Sequence, residues 1–508
     1  MKMKKVLYSS LAACMLMLAS CDKDYLEVQP TDAVAGDLAI TTTTNAMAAL
    51  NGIHRAMFMQ YDNQDQAGQG SVMINLDLLG EDVVMTAAGN GWFNSTYKWM
   101  THRNANAGTV SFVYRFYYKI IANANKIIEG IDTAEGTPAE RAAIKGQALA
   151  YRAWAHHQLV QIFAERYDAS KSSNDQLGVP IMNVYTLEGQ PRATVEQVYA
   201  QINKDIDEAI SLLPARRNAK SHFNTNVAKG IKARVALTMQ DWATAAKFAN
   251  EAAQGYKLMG QTQYLAGFNN VENEEWMWGS DQISDQTTYF YSYFAYMSAN
   301  FSSSNIRANP KAINSQLYSK IPNTDVRKQL WDPTPTEVLD ETTKKVVGYD
   351  VNGYVIPSNF SPKPYMNRKF LADGGASSVG DVPYMRAAEM MLIEAEALAR
   401  MGNNSAAAAL LTKLVKARDT EASDITLADQ ALIDEIMKQR RIELWGEGFR
   451  FFDLKRTNSP LNRNGANHSA TLAGNVLDVA AGDNQWQWLI PQDELNSNNN
   501  EGMVQNPL

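Results

Sequence analysis

KQRRIELWGEGFRFFDLKR, residues Lys438 to Arg456, is the stretch around which the rest of the chain is read. Ile433, Ile436, Met437, Leu444 and Trp445 recur at helical spacing until Gly446 and Gly448 weaken the helix and let the chain turn. A helix therefore ends here against something apolar. Beyond the glycines, Phe449, Phe451 and Phe452 are interleaved with Arg450, Asp453, Lys455 and Arg456, a setting that is costly for charges unless they pair. Glu443, Glu447 and Asp453 are the local partners for Arg440, Arg441 and Arg450. Such a cluster reads as an ion-paired structural element in preference to a catalytic carboxylate site, because perturbed carboxylates mark sites only statistically.

The same residues carry a resemblance. RRIELWGEGFRFFDLKR is similar to the signature of the SusD/RagB family, lipid-anchored nutrient-binding proteins of the Bacteroidetes outer membrane. PYMRAAEMMLIEAEALARMGN (Pro383 to Asn403) resembles the family's central helix, QWLIPQDELNSNNNEGMVQNP (Gln487 to Pro507) its closing segment, and CDKDYLEVQP (Cys21 to Pro30) its start. The four stretches fall in the family's order across both ends of the chain.

Residues 1–20 have the build of an export signal. Lys2, Lys4 and Lys5 precede an apolar run from Val6 to Ala19, which is shorter than the about 20 residues a membrane span needs. Leu18, Ala19, Ser20 and Cys21 form a lipobox, so Cys21 is the expected lipidation site and residues 21–40 the anchor and an extended N-terminal segment. The other cysteine, Cys14, leaves with the signal, and an exported chain without a spare cysteine has no disulfide framework. With 47 Lys+Arg against 54 Asp+Glu the chain is acidic, which argues against nucleic acid and leaves the acyl chains as the hold on the membrane.

The expected fold class is mainly α: helical hairpins by pattern, tetratricopeptide-like as the resemblance implies, forming a scaffold, with a loop-rich second lobe containing short strands. A helical scaffold is expected over 41–257, with helices at Thr41 to Tyr61, Val110 to Ile131, Glu140 to Phe163 (Thr137 and Pro138 at its N-cap and first turn) and Val195 to Leu213. From Val227 two alanine-rich helices meet near Gln240 and Asp241. Ala233, Ala236, Ala245, Ala246 and Ala249 let their backbones approach closely, and Val382 to Arg418 repeats the plan around Gly402-Asn403-Asn404. Small contact residues with a larger wedge resemble tetratricopeptide units, which the resembled family also carries. Between 258 and 381 the periodicity dissolves into prolines, turn residues and short apolar fragments such as Lys345 to Val351, the expected loop-rich lobe. Residues 382–508 hold the second hairpin, the signature and the closing segment.

For chemistry, the sequence contains no nucleophile elbow, Walker loop, H-E-x-x-H or paired C-x-x-C. His156 and His157 are adjacent on a helix and point to different faces, so they do not share a metal. No catalytic residue, metal ligand or cofactor is assigned. The aromatics say more. GNGWFNSTYKW (Gly89 to Trp99) sets Trp92, Phe93, Tyr97 and Trp99 among glycines and polar residues, either pinning a loop to the body or offering a platform for the C–H face of a sugar. Asp82, Asn94, Arg103 and Asn104 are candidate partners for sugar hydroxyls. In YFYSYFAY (Tyr289 to Tyr296), a helical reading buries Phe290 and Phe294 and sets Tyr289, Tyr293 and Tyr296 at the boundary, with Trp331 as a further groove residue. The alternating pairs Trp276/Trp278 and Trp486/Trp488 read as packing.

The resemblance implies a lid-type lipoprotein on the cell surface that captures an oligosaccharide and delivers it to a SusC-like TonB-dependent transporter, without turnover and without a cofactor. Two other readings stay open: the same role with peptide cargo, and a secreted glycan hydrolase.

Overall fold

A computed structural model describes residues 40–508 apart from Thr288. The signal, the lipobox with Cys21 and the CDKDYLEVQP segment lie outside the described residues. Among those described, no helix is long and apolar enough to cross a membrane.

The helical half forms where the periodicity places it, and its ends are set by caps. Thr42 accepts a hydrogen bond from the Asn45 N–H (3.1 Å) and opens α1, Thr43–Ala56, shorter than the 41–61 expected. Next come α2, Gly68–Leu78, and α3, Gly108–Ile131. A reciprocal capping box of Thr137 and Glu140 (3.2 and 2.8 Å) starts α4, Pro138–Phe163, with Pro138 in its first turn. Thr194 and Gln197 do the same for α5, Val195–Leu212. Then α6, Thr225–Met239, and α7, Trp242–Ala253, form the alanine hairpin. Gln240 turns it in the left-handed region (φ +62°), and Asp241 caps α7. Its contact alanines are all buried.

Of the pair α8, Ala387–Arg400, and α9, Asn404–Arg418, α8 packs directly on α7 although the loop-rich segment separates them in sequence, and α9 packs on α8. The helices from α3 to α9 thus form one stack, each on the next, with the loop-rich segment as an excursion between two of its layers. Residues 383–386, expected to be helical, are instead a buried strand paired with Trp276–Gly279 (Met385 opposite Trp278, Arg386 opposite Trp276). Strand pairing satisfies the backbone there before α8 begins, and it buries Trp276 and Trp278 as packing residues.

The helix α2 has no counterpart in the sequence reading. Every one of its residues is buried, so it is enclosed on all sides and shows no amphipathic period. Around it the excursion folds back. A four-stranded sheet joins Val83–Met85, Lys311–Ile313, Met366–Asn367 and Trp331–Asp332 in that order, with Val83 opposite Ile313 and Met366 opposite both Ala312 and Asp332. A three-stranded meander, Thr336–Leu339, Val346–Val351 and Tyr354–Pro357, lies at the surface. After α10, Asp429–Glu443, the chain turns at Gly446 and Gly448 (φ +80° and +84°) into α11, Arg450–Arg456, which packs on α2. Residues 40–508 form one unit.

Candidate functional site

The signature cluster is the first place to look for chemistry, and its geometry is structural. The guanidinium of Arg386 donates to Glu447 through Nε and Nη2 (2.8 Å each), to Glu443 (3.0 Å) and to Glu275. Arg418 donates to Glu275 (2.7 Å) and Glu443 (2.9 Å), Arg327 pairs with Glu443 and Asp325, and Lys369 donates to Glu447 (2.7 Å). Burial alone would raise the Glu443 carboxyl, but the charges of Arg418, Arg386 and Arg327 outweigh it and hold the group well below the usual carboxylate range. Asp453 binds Arg440 (2.8 Å) and Arg456 (2.8 Å), and Arg456 also binds Glu396. The local pairing expected from sequence therefore holds for Asp453 with Arg440 only. Glu443 and Glu447 take partners from residues 327–418, whereas Arg441 and Arg450 reach back to Asp82 and Glu81. The hollow beside Glu447 and Asp453 is about 60 Å³, too small for a sugar ring.

The aromatic loop behaves differently at each ring. Asn90 ties the loop to Ser304 (2.7 Å), and the Asn94 side chain closes it onto the Ala88 carbonyl (3.1 Å). Phe93 and Trp99 both adopt positive φ (+62° and +58°) on either side of a single helical turn, Asn94–Tyr97. Non-glycine residues seldom occupy that region, and its occurrence at functional loops is a recognised pattern. Trp99 is inside, its indole N–H donating to the Leu79 carbonyl (3.1 Å) and its ring set edge-on to Trp486. Tyr97 is fully buried against His468 with Arg463 over its ring (4.5 Å). Phe93 is buried edge-on against Tyr296, 5.0 Å between ring centres. Trp92 stays half-exposed, and its indole N–H has no hydrogen bond among the described residues.

Trp92 and Phe93 line a groove of about 320 Å³ together with Asn104. Several other expected site residues are corrected. Asp82 is buried and held by Arg441 (2.5 and 3.0 Å), so it has no free edge for a ligand. Arg103 donates to the carbonyls of Gln487 (2.6 Å) and Pro507 (2.5 Å), pinning the closing segment in place of a sugar. Trp331 is fully buried, edge-on to Trp445. In the second cluster only Phe294–Met297 is helical, so the predicted stripes do not form. Tyr293 is buried with its hydroxyl on the Gly446 carbonyl, and Tyr296 is buried with its hydroxyl on the Gln64 carbonyl (3.0 Å). Tyr289 and Phe290 are exposed and stack edge-on with each other, while Phe294 is buried. Tyr97, Trp99, Tyr293, Tyr296 and Trp331 thus act in the core, and Tyr296 reaches the groove only as backing for Phe93.

Two comparisons bear on the whole chain. Residues 24–237 match a family described as starch-binding and associating with the outer membrane, and residues 241–508 match the SusD family. The chain belongs to the SusD family. A SusD-like carbohydrate-binding protein from Bacteroides vulgatus has the same fold (TM-score 0.78, 26% identity, 91% of this chain and 97% of that one). A SusD superfamily protein from Bacteroides thetaiotaomicron superposes with TM-score 0.74 at 23% identity, over 92% of this chain and all of the other. SusD-like protein P2 of Formosa agariphila is 24% identical over 87% of this chain and 88% of its own length. SusD-family proteins are described as carbohydrate-binding and outer-membrane-associated, and the helical scaffold of this chain is theirs.

Within this SusD-family scaffold, the polar lining of the groove is what sequence reasoning missed. Asp65, Ser95, Thr96, Thr101 and Thr109 line the same groove as Asn104 and Trp92, with Met100, which is exposed. Burial raises the Asp65 carboxyl, although backbone hydrogen bonding and the Thr109 hydroxyl partly oppose the rise. Asp65 arrives from the loop between α1 and α2, which carries no periodicity, and α2 itself was not foreseen. Among the described residues no group of three or more His, Cys, Asp or Glu side chains is placed to hold a metal ion.

Proposed function

We propose that this chain captures an oligosaccharide at the cell surface and passes it, as a lid, to a SusC-like TonB-dependent transporter, held to the outer membrane by a lipid at Cys21. One observation carries the binding half: a half-buried indole, Trp92, in a groove of about 320 Å³ whose other lining residues include a carboxylate, four hydroxyl side chains and an amide. The ring presents a flat face to the C–H side of a sugar, and the polar groups take its hydroxyls, a division of labour usual for small-molecule sites. The family's starch-binding description and the carbohydrate-binding relative support the same cargo class. The role is binding without turnover, in which shape and stacking select the ligand and lid movement governs its access to the transporter.

The test is titration calorimetry of the soluble form beginning at Asp22 against plant, host and microbial glycans. Binding to one glycan, weakened at least tenfold (about 1.4 kcal/mol) in Trp92→Ala with unchanged melting temperature, supports the reading. Sustained release of reducing ends would overturn binding without turnover, and silence across the panel would turn the assignment to peptide cargo.

A further inference from the structure

The charge of the Trp92 groove narrows what it can take. Asp65 is the one ionisable side chain in its lining, and among the described residues no lysine or arginine lines it. Burial raises the Asp65 carboxyl, a backbone hydrogen bond and the Thr109 hydroxyl oppose the rise, and no cation is among the groups that act on it.

The cations that flank the lining residues in sequence are engaged elsewhere. Arg103, next to Asn104, spends its guanidinium on the carbonyls of Asn484 (3.1 Å), Gln487 (2.6 Å) and Pro507 (2.5 Å). Arg115 of α3 pairs with Asp62 (2.6 Å), and Lys119 lies over the Tyr61 ring (5.5 Å). Arg55 of α1 donates to the Gln286 carbonyl (2.8 Å), and the stem of Lys98 rests on Gly474.

A carboxylate without a cation, set in the wall of a groove, acts as a filter. Sugar hydroxyls donate to it, and a charged acceptor makes a stronger hydrogen bond than a neutral one. A uronate would instead bring a second negative charge beside it, where water screens less than in bulk. Ser95, Thr101 and Asn104 supply hydrogen-bond donors to such a ligand, but a hydroxyl or an amide does not cancel a charge. Discrimination then comes from the repulsive element as much as from the attractive ones.

We infer that the groove admits uncharged glycans and rejects anionic ones such as uronates, with Asp65 the residue that sets this choice. The inference rests on the glycan reading above and adds the charge class of the cargo.

The experiment uses the full-length lipoprotein in a detergent without a sugar headgroup, in mildly alkaline buffer so that a carboxyl raised by burial is still ionised. The probes are linear oligosaccharides of glucose, galactose and mannose, each as the parent, as the C6-oxidised uronate and as the methyl ester of that uronate. The ester keeps the added carbonyl of the uronate and loses its charge. The expected result is that at least one parent binds through Trp92, and that its ester binds at least tenfold more tightly than its uronate. In Asp65→Asn, and independently in Asn104→Lys, which sets a cation in the lining, that ratio falls at least fivefold with melting temperature unchanged. A uronate that binds through Trp92 as tightly as its ester or more so, or a ratio unmoved in a folded variant, would overturn the filter and leave the glycan reading standing. Parents, esters and uronates all unbound, or all bound without regard to Trp92→Ala, would remove both.

Discussion

Removing the guanidinium of Arg386 leaves Glu275, Glu443 and Glu447 without the cation they share in a fully buried site. Breaking such a site from one side is strongly destabilising, so Arg386→Met is expected to cost about 3–5 kcal/mol in urea denaturation, if it folds at all. The milder Lys369→Met removes one donor to Glu447 while Arg386 remains, and is expected to cost less. Asp77 is a second residue with a measurable signature. It accepts a hydrogen bond from the Gly448 N–H (2.8 Å), and burial pushes its carboxyl up to about 7 from 3.8. The folded state thus takes up a proton that the unfolded chain releases, and the associated stability is full below pH 3.8 and lost as pH rises through about 7. Asp77→Asn removes that titration. Between pH 5 and pH 7 the stability of wild type is expected to fall relative to the variant by on the order of 1 kcal/mol per pH unit, read from denaturation midpoints.

Among the elements, the turn from α10 to α11 tolerates little change. Gly448 has φ +84°, and a Cβ there would meet the backbone Cα of Met73 on α2 at 2.9 Å. Gly448→Ala therefore combines a strained backbone with a clash against a backbone atom that does not swing away, and a loss of more than 2 kcal/mol is expected by chemical denaturation. The capping boxes are the contrasting case: Thr137→Ala removes one side-chain acceptor at the start of α4 and is expected to cost about 1 kcal/mol. These elements also divide by how plainly the sequence announces them. The ends of α4 and α5 are written in Thr-x-x-Glu and Thr-x-x-Gln, local patterns that mean the same in any fold. No such signal exists for α2, because a helix surrounded by protein has no polar face to alternate with its apolar one. The strand at 383–386 carries the composition of a helix start and is overridden by pairing with Trp276–Gly279.

Across the whole molecule, buried charge joins parts that are far apart in sequence. Glu275, Asp325, Arg327 and Lys369 of the loop-rich excursion meet Arg386, Arg418, Glu443 and Glu447 of the C-terminal part. Glu443, Glu447, Glu396 and Asp453 are all buried, which alone would raise them, and all are held low by the guanidinium and ammonium groups around them. Their contribution is present above the unfolded values of 4.5 and 3.8 and is lost as pH falls below them toward the depressed folded values. Because the pairs span the excursion and the stack, acid titration is expected to unfold both in one transition. Far-UV circular dichroism and tryptophan emission should then move together; emission shifting at higher pH than ellipticity would show that the excursion detaches first.

What the sequence determined by itself is the class of fold, the helical hairpins with most of their ends, and the family, since each rests on short-range pattern: apolar period, cap chemistry and the signature order. It also marked the loop that holds Trp92. Tertiary structure alone decided which rings of that loop face out: the Leu79 carbonyl and Trp486 take Trp99 inside, Tyr296 takes Phe93, and Trp92 is left half-buried. It decided likewise that Asp82 and Arg103 serve the scaffold, and that Asp65 joins Trp92 in the groove. A charge or a ring takes its role from what it meets across the fold, and those meetings, Asp82 with Arg441 or Phe93 with Tyr296, span hundreds of residues of chain that carry no local trace of them.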